Sequence, residues 1–358
     1  MKEIGKNYFE TLNETLKEYF NILSGDIPEF LYEYIGTKEM QKQGRISASC
    51  GSCYTKLIDT KLWYSSLDHS VAVALIIWNF TKDKKQTISG LLHDIATPAF
   101  KHCIDFMNGD HEKQESTEEL TTVIIRDSKE IMSLLKRDGI GLEEVADYHI
   151  YPIADNETPR LAADRLEYTL SNGLGVRTKL WNLEDVREVY SNIEVQVNED
   201  GIEELGFRDL EVAEKFVEIM SKLSKFYISN ETTFSMQFLA DVMKKMSENN
   251  LIEKQDLYNL SEKEIIEKIE NCNLGDIAKC FKIWRESSKL FESDEAVEDV
   301  YCIKGKNKKR YIIPLVRVKD KFVRINDISG TANENINDFL NFKPKTYCYL
   351  DFDKEFGV

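Results

Sequence analysis

Apolar residues in the first half of the chain recur with helical spacing. The run VAVALIIWNF, residues 71–80, is apolar on nearly every side, which predicts a helix at the centre of a bundle. After a polar break, QTISGLLHDIA predicts a second helix that ends near Pro98. Residues 111–136 again carry Leu, Ile and Met at helical spacing. The stretch RLAADRLEYTLSNGL predicts a further helix, which follows Pro159 and stops at Gly173.

The second half of the chain changes its pattern twice. Residues 193–207 alternate apolar and acidic positions around an Asp-Gly pair, which predicts a small hairpin. Helical spacing returns over 210–291 and includes a capping-box pattern at 261–264. Beyond residue 296, the β-rich runs VYCIKG, RYIIPLVRV, KFVRI and TYCYLDF predict a small sheet element.

These patterns predict a mostly α protein, a helical bundle with further helices and a small C-terminal β-rich element. The expected units are an N-terminal helical segment (1–60), a core that carries the candidate site (61–180), a helical extension with the hairpin (181–295) and the β-rich element (296–358).

The net charge of the chain argues against one class of ligand, nucleic acid. The 358-residue chain has a formal net charge of -16, so it lacks the positive field that attracts a nucleic-acid backbone. Nucleic acid is therefore not expected as a main ligand. The basic cluster Lys304, Lys306, Lys308, Lys309 and Arg310 interrupts the β-like runs. We interpret it as a solvated hairpin tip, and a tip that binds a ligand is the alternative.

Neither a membrane span nor a secretory signal is expected, because no apolar run is long enough and the first residues have mixed charge.

The seven cysteines lie far apart except for Cys50 and Cys53. Reduced thiols in a cytoplasmic protein are the simplest account, since the Cys-Gly-Ser-Cys stretch lacks the strand-to-helix context of a redox motif.

All five histidines lie between residues 69 and 149. His69, the pair His93 and Asp94, and Asp164 each lie on or at the end of a mostly apolar predicted helix. Burying a lone aspartate there is costly, and a divalent cation would remove that cost. Imidazoles and carboxylates together suit Mn, Fe, Ni, Zn or Mg. Each residue alone could be a hydrogen-bonded core histidine or a helix cap, but the set in this order predicts one divalent metal ion.

The pattern H…HD…D, in LDHSVAVA, GLLHDIATPAF and LAADRLEY, resembles the HD-domain metal-dependent phosphohydrolase superfamily. The nearest likeness is to the branch of deoxynucleoside triphosphate triphosphohydrolases, and it covers residues 65–172, under a third of the chain. The resemblance implies an HD-domain helical bundle with His69, His93, Asp94 and Asp164 as metal ligands. It also implies hydrolysis of a nucleotide or a related phosphate ester or anhydride.

Further roles follow from the same resemblance. Arg165 matches a phosphate contact, and Tyr168 matches a tyrosine that packs beside the substrate sugar. His111 is expected to handle the leaving-group proton, with Asp105 fixing its tautomer. The positions that match catalytic residues of the branch are His102, Asp105, His111 and Glu112.

At three positions the sequence differs from the residue pattern of this branch. Thr97 stands where a catalytic histidine is expected, and a threonine does not exchange protons near neutral pH. Ser66 replaces an arginine, and Asn172 replaces an acidic residue expected near the sugar. Thr97 and Asn172 remain candidate substrate contacts, but deoxynucleotide selectivity does not follow.

Three interpretations stay open. The first is an enzyme that cleaves a small phosphate substrate, with a nucleotide as the expected partner. The second is a catalytically weakened HD module that binds a nucleotide to regulate a partner. The third is a two-iron oxygenase of the same fold, which requires ligands not evident here. A two-metal phosphodiesterase would need His149 near the metal. Self-association into a homo-oligomer is also left open.

Overall fold

The computed structural model describes residues 1–108, 120–305 and 309–353, with the backbone alone at 105, 106, 108, 352 and 353. The first helices are α1 (Lys2–Thr11), α2 (Glu14–Leu23), α3 (Glu29–Ile35), α4 (Lys38–Gln43), α5 (Ser66–Thr81), α6 (Lys84–Leu92), α7 (Cys103–Asn108), α8 (Thr121–Asp127), α9 (Lys129–Asp138) and α10 (Ala163–Ser171). Then follow α11 (Leu183–Ser191), α12 (Leu210–Tyr227), α13 (Asn230–Glu248), α14 (Asp256–Asn259), α15 (Glu262–Glu270), α16 (Gly275–Glu286), α17 (Ile325–Ile328) and α18 (Gly330–Asn341). The prediction of a mostly α fold is confirmed. Within the described ranges, no helix is both long and apolar enough to cross a bilayer.

Helix α5 is the buried centre of the bundle, as predicted. A capping box starts it: the Ser65 hydroxyl accepts from the Asp68 backbone N–H, and the Asp68 carboxylate accepts from the Ser65 N–H. Every residue from Ser66 to Ile77 is buried, because neighbouring helices cover all sides of the apolar run. His69 therefore enters the core one turn after the helix begins.

Helices α5 and α6 form a close hairpin. At their contact a Cβ on Gly90 would lie only 2.2 Å from Ile77 Cδ1, so the missing side chain permits the close approach. The hairpin brings the end of α6, where His93 and Asp94 follow, beside the start of α5, where His69 lies. Helix α10 also packs on α5 and carries Asp164 in its first turn.

Two small sheets accompany the helices. The strands are β1 (Ile193–Val197), β2 (Glu203–Phe207), β3 (Phe291–Ser293), β4 (Val300–Lys304), β5 (Leu315–Val318), β6 (Lys321–Arg324) and β7 (Tyr347–Asp353). The predicted hairpin is present as β1 and β2, which pair antiparallel. Strand β5 then pairs parallel to β2 and antiparallel to β6, while β7 lies between β3 and β4.

The C-terminal strands thus do not form one element, which differs from the expectation for residues 296–358. They are divided between the two sheets, and α17 and α18 lie between them. The reason is tertiary: Leu315 and Val316 pair with Gly206 and Phe207, more than a hundred positions earlier in the chain. Short apolar runs give no sign of such distant pairing.

Glu262, at the start of α15, joins the second half of the chain to the bundle. Its fully buried carboxylate accepts from the Ser47 N–H at 3.1 Å, the Phe100 N–H at 3.0 Å and the Tyr54 hydroxyl at 2.8 Å. Burial raises the pKa of Glu262 to about 7, although these donors partly oppose the shift. The carboxylate also fixes the turn that contains Lys101, one residue after Phe100.

Glu262 should make stability depend on pH. Its folded pKa lies above the unfolded value of 4.5, so its contribution is fully present below pH 4.5 and is lost as pH rises through about 7. Between pH 4.5 and 8 we expect the free energy of unfolding to fall by about 3 kcal/mol relative to Glu262→Gln. Denaturant unfolding of both proteins across this range measures the difference. The exposed Glu267→Gln should track the wild type, and parallel curves for all three proteins would contradict the assignment.

Candidate metal centre

His69 lies on α5 and His93 follows the end of α6. Both imidazoles direct their Nε2 atom toward the same point. His69 Nδ1 donates to the Glu167 carboxylate, and His93 Nδ1 donates to the Gly90 carbonyl at 2.7 Å. Because both Nδ1 atoms are used, both Nε2 atoms are left to face the neighbouring carboxylates. The ring centroids of the two histidines are 5.2 Å apart.

The carboxylates complete this arrangement. One ligand atom each of His69, His93 and Asp94 lies within 4.8 Å of the others. Asp164 Oδ1 lies 3.1 Å from His69 Nε2 and 4.0 Å from His93 Nε2, and the Asp94 oxygens lie 3.9 and 3.8 Å from the same two nitrogens. The structure therefore brings all four predicted ligands together.

The donor set fits a divalent metal ion. Atoms bound to one cation at about 2.1 Å lie about 3.0 Å apart when they are neighbours at right angles and about 4.2 Å apart when they are opposite. The separations of 3.1–4.0 Å found here fall in that interval. Two imidazole nitrogens and two carboxylates suit divalent metal ions that are Lewis acids of intermediate or high hardness. Assignment of these residues as ligands remains a prediction.

Glu167 lies behind His69 and was not predicted. Its carboxylate is 0% exposed and accepts from the hydroxyls of Tyr64 at 2.7 Å and Tyr19 at 3.1 Å, in addition to His69 Nδ1. A carboxylate behind a ligating histidine fixes its ring and raises its basicity. The available sequence signal was the spacing, since Glu167 follows Asp164 by three residues on one helix face.

Lys101 is a second residue that the sequence did not indicate. Its ammonium donates to Asp94 Oδ2 at 2.6 Å from a nearly buried position. Burial alone would lower the pKa of Lys101, but the adjacent Asp94 carboxylate raises it overall. Burial would also raise the pKa of Asp94, yet Lys101 and the two histidines hold it well below its usual value. Both groups are therefore charged.

His69 is strongly basic in the chain without a cation. Burial disfavours its charged form, but Glu167 and Asp164 outweigh this and raise the pKa of His69 to about 10. His69 and His93 in turn lower the pKa of Asp164, against the opposing effect of burial. A cation that binds His69 Nε2 must displace this proton, so metal affinity should rise with pH.

These groups open into a cavity of about 370 Å³, a size typical of small-molecule sites. Its lining includes five Lys or Arg residues and four Asp or Glu residues. Positive and negative side chains are thus nearly balanced in the cavity, whereas the whole chain has a net charge of -16. The cations are Lys101, Arg165, Arg177, Lys309 and Arg310, and the carboxylates are Asp94, Asp155, Asp164 and Glu167.

Among the predicted substrate contacts, Arg165, Tyr168 and Asn172 line this cavity. The Asn172 amide donates to the Tyr227 hydroxyl at 2.9 Å, and the rings of Tyr168 and Tyr227 meet edge to face at 6.2 Å. Arg165 is held by protein groups, as its guanidinium lies 3.1 Å from Asp155 Oδ1 and also donates to the side chain and the carbonyl of Asn156.

The structure describes only some of the predicted catalytic residues. His102 lines the cavity, and so does His149, whose Nδ1 and Nε2 lie 2.8 Å from Asp147 and 3.4 Å from Asp155. His149 is not in the cluster of candidate ligands found among the described residues. His111, Glu112 and the side chain of Asp105 lie outside the described residues, so their roles stay predictions.

Thr97 and Ser66 do not reach the cavity. The Thr97 side chain is buried, and its carbonyl accepts from the Lys42 ammonium at 2.9 Å. It is not among the lining residues, so the structure does not place it where a substrate contact is needed. Ser66 is fully buried in the first turn of α5, where its N–H donates to the Ile46 carbonyl at 2.8 Å. Because both side chains are buried, a histidine in place of Thr97 or an arginine in place of Ser66 would require local rearrangement.

The basic cluster is not simply a solvated tip. Of its described members, Lys304 is exposed, whereas Lys309 and Arg310 are half-buried and line the cavity. The Lys309 ammonium donates to the carbonyls of Leu340 and Phe342, at the end of α18. These two residues are therefore part of the cavity lining.

Comparison with known proteins gives remote relatives. No family model matches the chain. The chain is 24% identical over 278 residues to the uncharacterized protein YdhJ of Bacillus subtilis, which covers 76% of the chain and 80% of that protein. It is 23% identical over 168 residues to the metal-dependent phosphohydrolase cns2 of Cordyceps militaris, and this match covers 46% of the chain and 45% of that protein.

Two solved structures share the fold over almost the whole chain. A hypothetical protein from Aquifex aeolicus superposes with a TM-score of 0.61, covering 92% of this chain and 94% of that one. A phosphohydrolase from Bacteroides thetaiotaomicron superposes with a TM-score of 0.63, covering 92% and 96%. Both are 14% identical, so they show the fold alone.

Proposed function

We propose that this chain is a metal-dependent phosphohydrolase that acts on a small phosphate ester or anhydride, with nucleotides as the substrate class. The observation that carries the proposal is the convergence of His69 Nε2, His93 Nε2 and two carboxylates at one wall of a cavity that is also lined by Lys and Arg side chains. One curated relative named a metal-dependent phosphohydrolase supports it, and a structural neighbour named a phosphohydrolase has the same fold.

The residues that would hold the metal ion are His69, His93, Asp94 and Asp164. A divalent cation held there would neutralise phosphate charge and would lower the pKa of a water molecule toward neutrality. Glu167 keeps the His69 ring in one tautomer and orientation. This arrangement preserves the site geometry before substrate enters, which is a condition for efficient catalysis.

Charged side chains of the cavity would bind and orient the substrate. The Lys101 ammonium lies beside Asp94 and can neutralise a phosphate oxygen at the same wall. His149 also lines the cavity, and the Asp155 carboxylate lies 3.4 Å from its Nε2, on the side that faces the pocket's charged groups. His102 is the other described imidazole that lines the cavity outside the candidate ligands, and His111 remains the proton carrier implied by the resemblance.

A second candidate function is nucleotide binding without turnover. Thr97 stands where the resemblance places a catalytic histidine and is buried away from the cavity, and Arg165, the expected phosphate contact, is paired with Asp155. A module of this kind would keep metal and ligand affinity but release no phosphate.

Turnover separates the two candidates. The purified chain, supplied with Mn²⁺, should release phosphate or pyrophosphate from at least one member of a panel of nucleoside mono- and triphosphates, deoxynucleotides and simple phosphate esters. A chelator should abolish the release, and restored Mn²⁺ should recover it. Nucleotide binding without product under each tested metal would favour the regulatory module and contradict the enzyme.

A further inference from the structure

The turn that follows α10 gives Arg177 a fixed position. Gly175 has a φ of 141°, a conformation that side chains rarely adopt, so a glycine allows the chain to turn here. The Gly175 carbonyl accepts from the N–H groups of Lys61 and Leu62 at 2.9 and 3.0 Å. The N–H of Arg177 in turn donates to the Asn172 carbonyl at 3.4 Å. The side chain of Arg177 therefore starts from a backbone that hydrogen bonds hold in place.

The guanidinium of Arg177 is attached to a segment that lines the cavity. The residue is only 7% exposed, and its Nη1 donates to the Ser49 carbonyl and the Ser52 hydroxyl. In the sequence, Ser49 lies between Ala48 and Cys50, which line the cavity together with the four candidate metal ligands. These contacts place the guanidinium at the wall of that cavity.

The charge of Arg177 is not compensated by a carboxylate within the part of the chain that the structure describes. Its side-chain hydrogen bonds there run from one nitrogen, Nη1, to two neutral oxygens, and it forms no ion pair with a described Asp or Glu. A buried cation without a counterion is costly. The Nε and Nη2 donors make a planar fork that matches two oxygens of a phosphate or carboxylate. An anion bound to this fork would remove the cost.

Arg177 also lines a second cavity, of about 360 Å³. The other charged side chains of that cavity are Lys61, Lys179, Asp59 and Glu231. Lys61 is paired with Asp59 at 2.5 Å, and Lys179 is exposed. The same buried guanidinium thus belongs to the walls of two cavities, so there is space beside it for a ligand group.

We propose that Arg177 is the centre of an oxyanion-binding site, in which its Nε and Nη2 donors hold a phosphate or carboxylate group. The site goes beyond the proposed function, because it requires neither a bound cation nor turnover. The group comes either from a free anion or from one end of a larger ligand, such as a nucleotide.

Side-chain NMR of the metal-free full chain, with ¹⁵N-labelled arginine, tests the site at the atoms concerned. The Nε–H signal of Arg177 is identified by its loss in Arg177→Lys. We expect at least one of three probes, inorganic phosphate, acetate and β,γ-methylene-ATP, to shift this signal at a concentration about 10-fold lower than it shifts the signal of Arg317. Arg317 is the reference because it is exposed and its Nε already donates to Glu194. A tighter response to phosphate or acetate identifies a free anion, and a tighter response to the nucleotide analogue identifies a group of a larger ligand.

Variants of Arg177 should bind the preferred probe more weakly. Arg177→Gln should lower the affinity about 10- to 100-fold, because charge-assisted hydrogen bonds are lost. Arg177→Lys keeps the charge but not the fork, so it should lose less affinity, and it replaces the glutamine variant if that protein does not fold. Arg317→Gln is the matched control and should bind as the wild type does. Calorimetry on the metal-free proteins measures each affinity.

The proposal would be overturned by an Arg177 signal that none of the probes shifts, or by folded Arg177 variants with wild-type affinity for the preferred probe. His93→Ala separates this site from the candidate metal ligands, since the metal-free variant should keep its affinity for the probe within about twofold. A loss as large as that of Arg177→Gln would place the anion at those ligands and would also overturn the proposal. Failure of the metal centre alone would leave the conclusion on Arg177 unchanged.

Discussion

His93→Ala is expected to lose the bound metal ion and to lower phosphate release by about three orders of magnitude, because a metal contributes several kcal/mol of charge stabilisation to such reactions. His93 supplies one of two imidazole nitrogens at the site, and its side chain is almost completely buried. Elemental analysis after desalting measures the metal content, and the same preparation is assayed for product release.

His149→Ala is the matched control for metal content. His149 lines the same cavity but is not in the cluster of candidate ligands, so the variant should keep about as much metal as the wild type. Circular dichroism should show that both variants keep their helices. If His93→Ala retained one metal ion per chain, the ligand assignment would be wrong, whatever the change in activity.

Replacement of Glu167 should have the next largest effect. Glu167→Gln should lower metal affinity by about 10- to 100-fold, because the glutamine no longer accepts from His69 Nδ1 as a charged group. Glu167→Ala should also lower the free energy of unfolding by about 3–5 kcal/mol, since it leaves His69, Tyr19 and Tyr64 buried without their acceptor. Metal titration and denaturant unfolding measure the two effects.

The exposed Glu157→Gln is the control for the change of charge. It should leave both metal affinity and unfolding unchanged. Unaltered metal affinity in Glu167→Gln, with the fold intact, would mean that Glu167 is a structural acceptor only.

The features of the fold that the sequence predicted are those determined by local pattern. The apolar run of α5 indicated its central position, and the alternation around Asp200 and Gly201 indicated the β1 and β2 hairpin. The four candidate ligands were also predictable, since a charged Asp94 in an apolar helix end requires a partner. Their convergence depends on helix packing, which the Gly90 contact permits.

The features that were missed depend on distant contacts. Lys101 reaches Asp94 through a turn with a left-handed backbone, φ 47°, which its sequence does not favour. The strand pairing that holds the segment around Arg310 joins β5 to β2 and is non-local. Thr97 was assigned a substrate contact by matching position, but neighbouring side chains bury it. The resemblance gave the position of Thr97 in the sequence but not its surroundings.

Anomalous diffraction from a crystal grown with Mn²⁺ tests the central claim most directly. Data collected at two wavelengths, above and below the manganese absorption edge, locate the ion independently of activity. We predict one strong peak within bonding distance of His69 Nε2, His93 Nε2 and carboxylate oxygens of Asp94 and Asp164. A well-occupied peak at another place in the chain, with these four side chains binding no ion, would contradict the account.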